Sequence, residues 1–436
     1  MRERAAWIAA AFIAMAIPAL FVTTKKTGEW NDCYYAAAGW MCNGESIAAR
    51  SWYYTYPPAM AMFTIPLATE SLPLSKFLWS LVNVAALATL FVSCWKLAGG
   101  ANLTKLASPW SIVFALTLLI CGRWIVSPLE HLQYDAVIAA LLAAGCLQVA
   151  RGRDILGGVL VGLSASMKLT PLLFLPYFVW RGRFRTALCT AIVAVGTNFL
   201  PDLFFPQTSG ASYMVEWYEK FLATTLGGTS GAWHTAVHLN QSLAGFFNRM
   251  AGIWTTDSME NLTIVVFDDA TRELVKRLTQ GTSLLLLGIT LCIGRRPFRG
   301  PCETGNSRDN ESINLFWSLE FGMLMALMIL ISPMSSKAHY VTLILPSLLA
   351  VRFVVERPTA WRRTVFVLLL ATGLLGSKEI LGSQLGDAAL IWGVTTIYPL
   401  VLLAAMWELH SSLRRAASAK QQAREVFEVP VVRCAA

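Results

Sequence analysis

Charged residues are scarce in this chain. Asp, Glu, Lys and Arg together make up 14% of its 436 residues, whereas soluble proteins carry roughly 25%. Hydrophobic residues account for 56%, and the mean hydropathy is +0.54. So little charge excludes an ordinary soluble domain. The composition predicts an all-α polytopic membrane protein.

The chain also has no convincing metal motif. Its nine cysteines show no spacing typical of zinc or iron–sulfur sites. His234 and His238 are four residues apart, but the glutamate of a His-Glu-x-x-His zinc site is absent and nearby glycines favour a loop. Neither a metal nor another cofactor is therefore expected. Cys33 and Cys42 share one predicted external loop, so a disulfide between them stays open.

Two further absences concern processing and transport. The first apolar run ends at Phe21 to Lys26 without a small-x-small cleavage site, so we expect it to be retained as a membrane span. The chain shows no internal repeat or inverted symmetry of the kind found in many secondary transporters. A transporter is thereby disfavoured but not excluded.

Long apolar runs dominate the rest of the sequence. About twelve are long enough to be read as helices crossing about 30 Å of hydrocarbon. They lie at roughly 5–22, 73–95, 108–126, 134–150, 154–170, 171–180, 186–205, 278–294, 313–332, 340–356, 363–381 and 388–407. We assign residues 1–413 to one transmembrane domain with two long external segments, about 23–72 and 206–277. Residues 414–436 form a basic cytoplasmic tail.

The net charge of +9 reflects this topology. Small basic clusters, such as Arg151-Gly-Arg153 and Arg295-Arg296, fall on alternate predicted loops, as the positive-inside rule requires. Both termini are therefore predicted to be cytoplasmic. The basic residues do not indicate a nucleic-acid partner.

The first external segment contains a candidate catalytic carboxylate, Asp32. A carboxylate beside aromatic rings at a membrane surface suits proton abstraction from a sugar hydroxyl. Alternatively, Asp32 caps a short helix that starts at Cys33. The aromatic residues of this segment, among them Tyr35, Tyr54 and Tyr56, fit either an interfacial aromatic belt or a surface on which sugar rings stack.

Ionisable residues also gather at the predicted outer ends of spans, where such groups are candidates for function. They are Arg123, Glu130, His131 and Asp135 between the third and fourth spans, Lys168 before Pro171, and Lys337 and His339 after Pro333. Ordinary snorkelling or interfacial pairing is the alternative for each. Further along, Asn240 is predicted to cap an interfacial helix that includes Arg249.

Several of these motifs occur together in one known family. They are Asp32 with Tyr34-Tyr35, Tyr54-Thr-Tyr-Pro-Pro58, Pro66, Leu72-Pro73, Lys168-Leu-Thr-Pro171, Asn240-Gln-Ser242, Arg249, Ser332-Pro333, His339-Tyr340 and Pro346. In this order they resemble the integral-membrane glycosyltransferases of family 87, which have the GT-C architecture and include polyprenyl-phosphate-mannose-dependent mannosyltransferases. Family members often carry a Gly-Gln pair before the fourth span, where this chain has Glu130-His-Leu-Gln-Tyr134.

The resemblance implies inverting transfer of mannose, or a related hexose or pentose, from a polyprenyl-phosphate donor to a lipid- or glycan-linked acceptor. It implies a site at the outer face of the inner (plasma) membrane, with Asp32 as general base. The donor phosphate is expected at Lys168, His339, Arg123 and Lys337. Substrate contacts are expected from Tyr35, Tyr54, Tyr56, His131, Asn240 and Gln241. The competing hypotheses are a glycolipid transporter or flippase and a non-catalytic scaffold.

Overall fold

The structure is a computed structural model that describes residues 28–51, 54–100, 110–226, 238–251, 253–257, 262–266, 268–294 and 315–427. The first predicted span, His234, Cys302 and Cys434 lie outside these ranges. The described part is helical apart from one antiparallel hairpin, in which Ile253 pairs with Val266. This hairpin is an addition to the all-α architecture predicted from the sequence.

The polar segment that precedes the first long described helix is itself built of short helices. A π-helix, Trp30–Tyr35, continues into α1 (Ala36–Cys42) and is followed by α2 (Ile47–Arg50), α3 (Pro58–Thr64) and a 3₁₀ turn, Ile65–Leu67. Pro57 and Pro58 set the start of α3, because proline is tolerated in the first turn, where its missing N–H leaves no bond unmade.

Longer helices follow. They are α4 (Leu72–Leu97), α5 (Trp110–His131), α6 (Asp135–Ala150), α7 (Asp154–Met167), α8 (Phe174–Trp180) and α9 (Phe184–Phe204). Short helices α10 (Tyr213–Trp217), α11 (Ala223–Leu226) and α12 (Leu243–Ala251) precede strands β1 (Ile253–Asp257) and β2 (Leu262–Val266). The last helices are α13 (Asp269–Ile293), α14 (Leu315–Ile331), α15 (Ile344–Glu356), α16 (Ala360–Leu375), α17 (Lys378–Ile391) and α18 (Val394–Phe427).

Each predicted run from residue 73 onward thus coincides with a helix or with consecutive helices. Within the described residues, four helices are long and apolar enough to cross a membrane: Leu72–Leu97, Trp110–His131, Phe184–Phe204 and Lys337–Glu356. Others are shorter. The 16 residues of α6 extend about 24 Å, less than the hydrocarbon thickness. The number of twelve spans therefore stays a prediction.

Glycines bring α7 close to its two neighbours. A Cβ at Gly158 would lie 2.6 Å from the Thr186 carbonyl oxygen of α9, and one at Gly145 of α6 would lie 3.0 Å from the Gly157 carbonyl oxygen of α7. Small residues allow such close backbone approach. The van der Waals packing that results helps to drive helix association in a membrane. Because α6 begins at Asp135 and α7 ends before Lys168, this packing fixes those two residues relative to each other.

The centre of the bundle is α14, in which every residue from Ser318 to Leu330 is buried. At the end of the bundle remote from Lys168, Glu320 of α14 accepts a hydrogen bond from Tyr177 (2.5 Å) and one from the Arg181 Nε (2.8 Å). His410 of α18 lies 3.2 Å from the same carboxylate. These buried contacts join α8, α14 and α18, because separating the helices would leave buried polar groups without their partners.

The structure corrects one local prediction, the cap at Asn240, and decides two alternatives that the sequence left open. Asp32 does not cap a helix, because the π-helix already begins at Trp30. The helix cap predicted at Asn240 is instead Ser242, whose hydroxyl accepts from the Gly245 N–H (3.2 Å). Cys33 and Cys42 are free thiols rather than a disulfide.

Candidate active site

A tight turn between α5 and α6 begins the site. Pro128 lies inside the last turn of α5, and after His131 the chain adopts a left-handed conformation at Leu132, with φ of 58°. Among the described residues, Leu132 is the single non-glycine residue with positive φ. Such a conformation costs about 1 to 2 kcal/mol for an L-residue, and retained strain of this kind is concentrated at functional sites.

Asp135, at the start of α6, holds two of the predicted phosphate-binding residues. Its Oδ1 accepts a hydrogen bond from Lys168 Nζ (2.8 Å) and lies 3.7 Å from His339 Nε2. The His339 Nδ1 accepts from the Ser336 N–H (3.0 Å), so in the neutral ring the proton is carried by Nε2, which faces Asp135. Asp135 Oδ2 is buried without a hydrogen-bond partner.

A second carboxylate, Glu29, lies beside this cluster. Gln133 donates a hydrogen bond to its Oε1, and the hydroxyls of Tyr34 and Tyr56 each lie 3.4 Å from its Oε2. The pKa of the Glu29 carboxyl is raised to about 7, chiefly by burial. The negative charge of Asp135 contributes to this rise, whereas Gln133, Lys168 and Tyr34 oppose it. Glu29 is therefore a carboxyl group that exchanges its proton near neutral pH.

Tyr56 contacts both Lys168 and Glu29. Its ring lies below the ammonium of Lys168, with 5.7 Å between Nζ and the ring centroid, while its hydroxyl reaches Glu29. A cation over an aromatic face is attracted by the ring quadrupole. The predicted residues Tyr56, Lys168 and His339 are thus brought together by the fold, along with Glu29 and Asp135.

Asp32 lies in a different environment, although it is only three residues from Glu29. Its side chain is exposed, and it interacts electrostatically with Lys76 of α4. The π-helix explains the divergence, because its wider turn means that residues three apart no longer share a face as they do on an α-helix. The structure thus separates Asp32 from the contacts that Glu29 makes.

The other two predicted phosphate-binding residues have separate partners. Arg123 forms an ion pair with Glu130, with 2.6 Å between Nη1 and Oε2. Lys337 is buried and interacts electrostatically with His238, which itself lies 3.5 Å from Asp387. His131, a predicted substrate contact, is exposed at the end of α5. The structure thus shows Arg123 and Lys337 with partners of their own.

The predicted sugar-stacking residues Tyr35 and Tyr54 make protein contacts. Tyr54 is only 2% exposed, and its ring packs against that of Tyr56 with centroids 5.8 Å apart. The Tyr35 hydroxyl donates to the Thr69 carbonyl (2.9 Å). The aromatic residues of this segment therefore form a core of their own, in which Trp30 is fully buried and contacts Tyr134 at 5.9 Å.

Asn240 and Gln241, also predicted to touch substrate, are fully buried and bonded to backbone. Asn240 accepts from the Ser335 N–H (3.0 Å) and donates to the Pro333 carbonyl (2.9 Å). Gln241 donates to the Leu390 carbonyl (2.9 Å). These bonds hold the loop that leads to His339, so Asn240 and Gln241 help to position His339.

Reasoning from sequence missed three residues that the structure brings into the site: Glu29 and Gln133, and Asp135 as the partner of Lys168. The pairing of Asp135 with Lys168 could have been predicted, because both residues lie at the same predicted end of their spans. For Glu29 the sequence carried no such signal, because the predicted helix starts only at Cys33 and Glu29 precedes it.

The arrangement combines a base with a cation, Lys168, and a neutral hydrogen-bond donor, His339. A carboxyl group with a pKa near 7 can accept a proton from a hydroxyl, while an ammonium and an imidazole N–H can stabilise negative charge that develops nearby. Among the described residues, no group of three His, Cys, Asp or Glu side chains is placed to hold a metal ion.

Comparison with known proteins gives three curated relatives. The chain is 27% identical over 201 residues to a polyprenol-phosphate-mannose-dependent alpha-(1-2)-phosphatidylinositol pentamannoside mannosyltransferase of Mycolicibacterium smegmatis, which covers 46% of this chain and 44% of the relative. It is 29% identical over 203 residues to the protein of the same name from Mycobacterium tuberculosis, which covers 46% and 43%. The chain therefore spans less than half the length of these two relatives.

A longer match is to another Mycolicibacterium smegmatis protein, a polyprenol-phosphate-mannose-dependent alpha-(1-2)-phosphatidylinositol mannoside mannosyltransferase. Here the identity is 24% over 334 residues, 74% of this chain and 66% of the relative. No solved structure matches the chain. The sequence model of glycosyltransferase family 87 matches residues 54–333, which is more than half of the chain, so this protein belongs to glycosyltransferase family 87.

Proposed function

We propose that this protein transfers a sugar, mannose or a related one, from a polyprenyl-phosphate donor to a lipid- or glycan-linked acceptor at the outer face of the membrane. Family membership supports glycosyl transfer in general. The observation that carries the assignment to this site is the pairing of Glu29 with the Asp135–Lys168–His339 cluster at one end of the bundle.

In the proposed reaction, Glu29 accepts the proton of the acceptor hydroxyl as its oxygen attacks the anomeric carbon. The bond from that carbon to the phosphate oxygen breaks on the opposite side, and the configuration is inverted. The leaving lipid phosphate gains negative charge. Lys168 and the Nε2–H of His339 lie where they can stabilise this charge electrostatically, once the donor phosphate competes with Asp135 for them.

Glu29 is preferred to Asp32 as the base because of its surroundings. A general base is most effective when its pKa lies near the working pH, and the pKa of Glu29 is about 7. Asp32 is exposed and lies beside Lys76 rather than beside Lys168. It stays the second candidate, and the two carboxylates are separable by substitution.

The test is an assay of purified protein in lipid nanodiscs with polyprenyl-phosphate mannose as donor and phosphatidylinositol mannosides as acceptors. Lys168→Ala and His339→Ala should each lower transfer by about 10² while folded yield stays near that of the parent. Lys276→Ala, at an exposed position of α13, is the matched control and should retain full activity. Full activity in both site variants would remove these residues from the proposed reaction.

The same purified protein, reconstituted into liposomes, separates the competing hypotheses. A glycolipid transporter would move the labelled donor across a liposome membrane without forming a new glycosidic bond. A scaffold would bind the donor and do neither. Detection of the glycosylated product by mass spectrometry is therefore the outcome that the proposed function requires.

A further inference from the structure

The turn between α5 and α6 contacts both halves of the site through consecutive residues. Leu132 is fully buried, Gln133 donates to Glu29, and Asp135 holds Lys168 and faces His339. Tyr134 lies between them, with its ring 5.0 Å from that of Tyr34 in an edge-on contact. Four adjacent positions thus contact Glu29, the aromatic core, and the pair Lys168 and His339.

Backbone and side-chain contacts hold this turn in a defined position. The Gln133 N–H donates to the Pro128 carbonyl (2.9 Å), and the left-handed residue Leu132 has its side chain against Gly28. A Cβ at Gly28 would lie 2.7 Å from Leu132 Cδ1, so a larger residue there would require the Leu132 side chain to move. Leu132 therefore limits where the chain leading to Glu29 can lie.

We propose that Gln133 and Asp135 are positioning residues, and that the turn they belong to sets the position and protonation of Glu29 relative to the Lys168–His339 pair. This inference rests on the proposed function for its catalytic meaning. The contacts that carry it are the amide bond from Gln133 to Glu29 and the Asp135 bond to Lys168.

The two positioning residues act on Glu29 in opposite directions. The Gln133 amide donates to the carboxylate and stabilises its charged form, whereas Asp135 is a second negative group that destabilises it. Tyr34 and Tyr56 also face Glu29, and Lys168 favours its charged form. Loss of Gln133 should therefore raise the pKa of Glu29, and loss of the Asp135 charge should lower it.

The experiment uses Gln133→Leu and Asp135→Asn in the full-length protein, each compared with a matched substitution at the other end of the bundle. The controls are Gln148→Leu, at the far end of α6, and Asp154→Asn, whose carboxylate is 3.4 Å from Arg183. Infrared difference spectroscopy follows protonation of Glu29, with Glu29→Gln used to identify its carboxyl band. The pH dependence of kcat/KM for transfer from polyprenyl-phosphate mannose is measured in parallel.

We expect the Glu29 titration midpoint to move to higher pH in Gln133→Leu and to lower pH in Asp135→Asn, with both controls unchanged. The acid limb of kcat/KM should move in the same two directions, and kcat should fall about tenfold in each variant, since misplacing a catalytic group by a small distance is costly. A merely structural role would not give shifts of opposite sign.

Each outcome is informative. Unchanged titration midpoints in both variants, or shifts in one common direction, would overturn the inference whether or not the protein is active. If the spectroscopic midpoints move as expected but the kinetic limb does not follow, the inference holds for Glu29 and the role of Glu29 as general base is lost. Because the titration requires no substrate, failure of the proposed function leaves this test intact.

Discussion

At the scale of single residues, two carboxylates three positions apart have different environments. Glu29 contacts Gln133, Tyr34 and Tyr56, whereas Asp32 is exposed near Lys76. The sequence predicted Asp32 as the base and did not single out Glu29, because it does not reveal that a π-helix begins at Trp30 and directs the two side chains into different surroundings. Lys168 and His339 were predicted individually, but their shared partner Asp135 was not.

The departure from the family pattern before the fourth span also has a structural explanation. Family members often have Gly-Gln there, and in this chain Leu132 precedes Gln133 in the left-handed conformation that glycine adopts most easily. A sequence alone does not reveal backbone dihedral angles, so the left-handed conformation at Leu132 could not be predicted from composition or spacing.

The raised pKa of Glu29 predicts how transfer depends on pH. Because the pKa of Glu29 is about 7, its basic form is lost as the pH falls through that value, so kcat/KM should decrease about tenfold per pH unit below it. Above pH 7 the carboxylate is charged and the rate should level off. Steady-state transfer measured from pH 5 to 8.5 checks this; a flat profile across that range would contradict the assignment.

At the scale of helices, the glycines of α7 determine where Lys168 lies. Gly158→Leu should force α7 away from the Thr186 carbonyl of α9 and destabilise the bundle by about 1 to 3 kcal/mol, the usual cost of overpacking. Thermal unfolding in detergent and donor-dependent activity should both fall. The control is Gly196→Leu on α9, where no described atom lies within 4 Å of the added Cβ. Equal stability of the two variants would argue against this packing role.

Helix positions themselves were largely predictable, because apolar runs are the strongest signal that a sequence carries. Helix lengths and helix types were not. The runs at 154–170 and 171–180 correspond to α7, a 3₁₀ turn and α8. Lys168 follows the end of α7, and Pro171 lies in the 3₁₀ turn. Apolar composition does not distinguish a full span from two shorter helices that meet at a proline.

At the scale of the whole molecule, the proposed reaction requires a defined orientation in the membrane. The site and the basic cluster at Arg181 to Arg185 lie at opposite ends of α7 and α8, and the positive-inside rule assigns the basic end to the cytoplasm. In a background without native cysteines, a cysteine at Glu70, an exposed position near the site, should react with an impermeant maleimide added to intact cells. A cysteine at Arg185 should react only after lysis; the reverse pattern would invert the topology.

In the proposed reaction Glu29, rather than Asp32, accepts the acceptor proton. A comparison of Glu29→Gln and Asp32→Asn for transfer from polyprenyl-phosphate mannose tests this assignment, with donor binding as the control for folding. Each substitution keeps the shape of the side chain and removes its ability to accept the proton. We expect Glu29→Gln to reduce kcat by about 10²–10⁴-fold, the usual scale for loss of a general base, while Asp32→Asn stays within a few-fold of the parent. A severe loss in Asp32→Asn with near-normal transfer in Glu29→Gln would contradict the account.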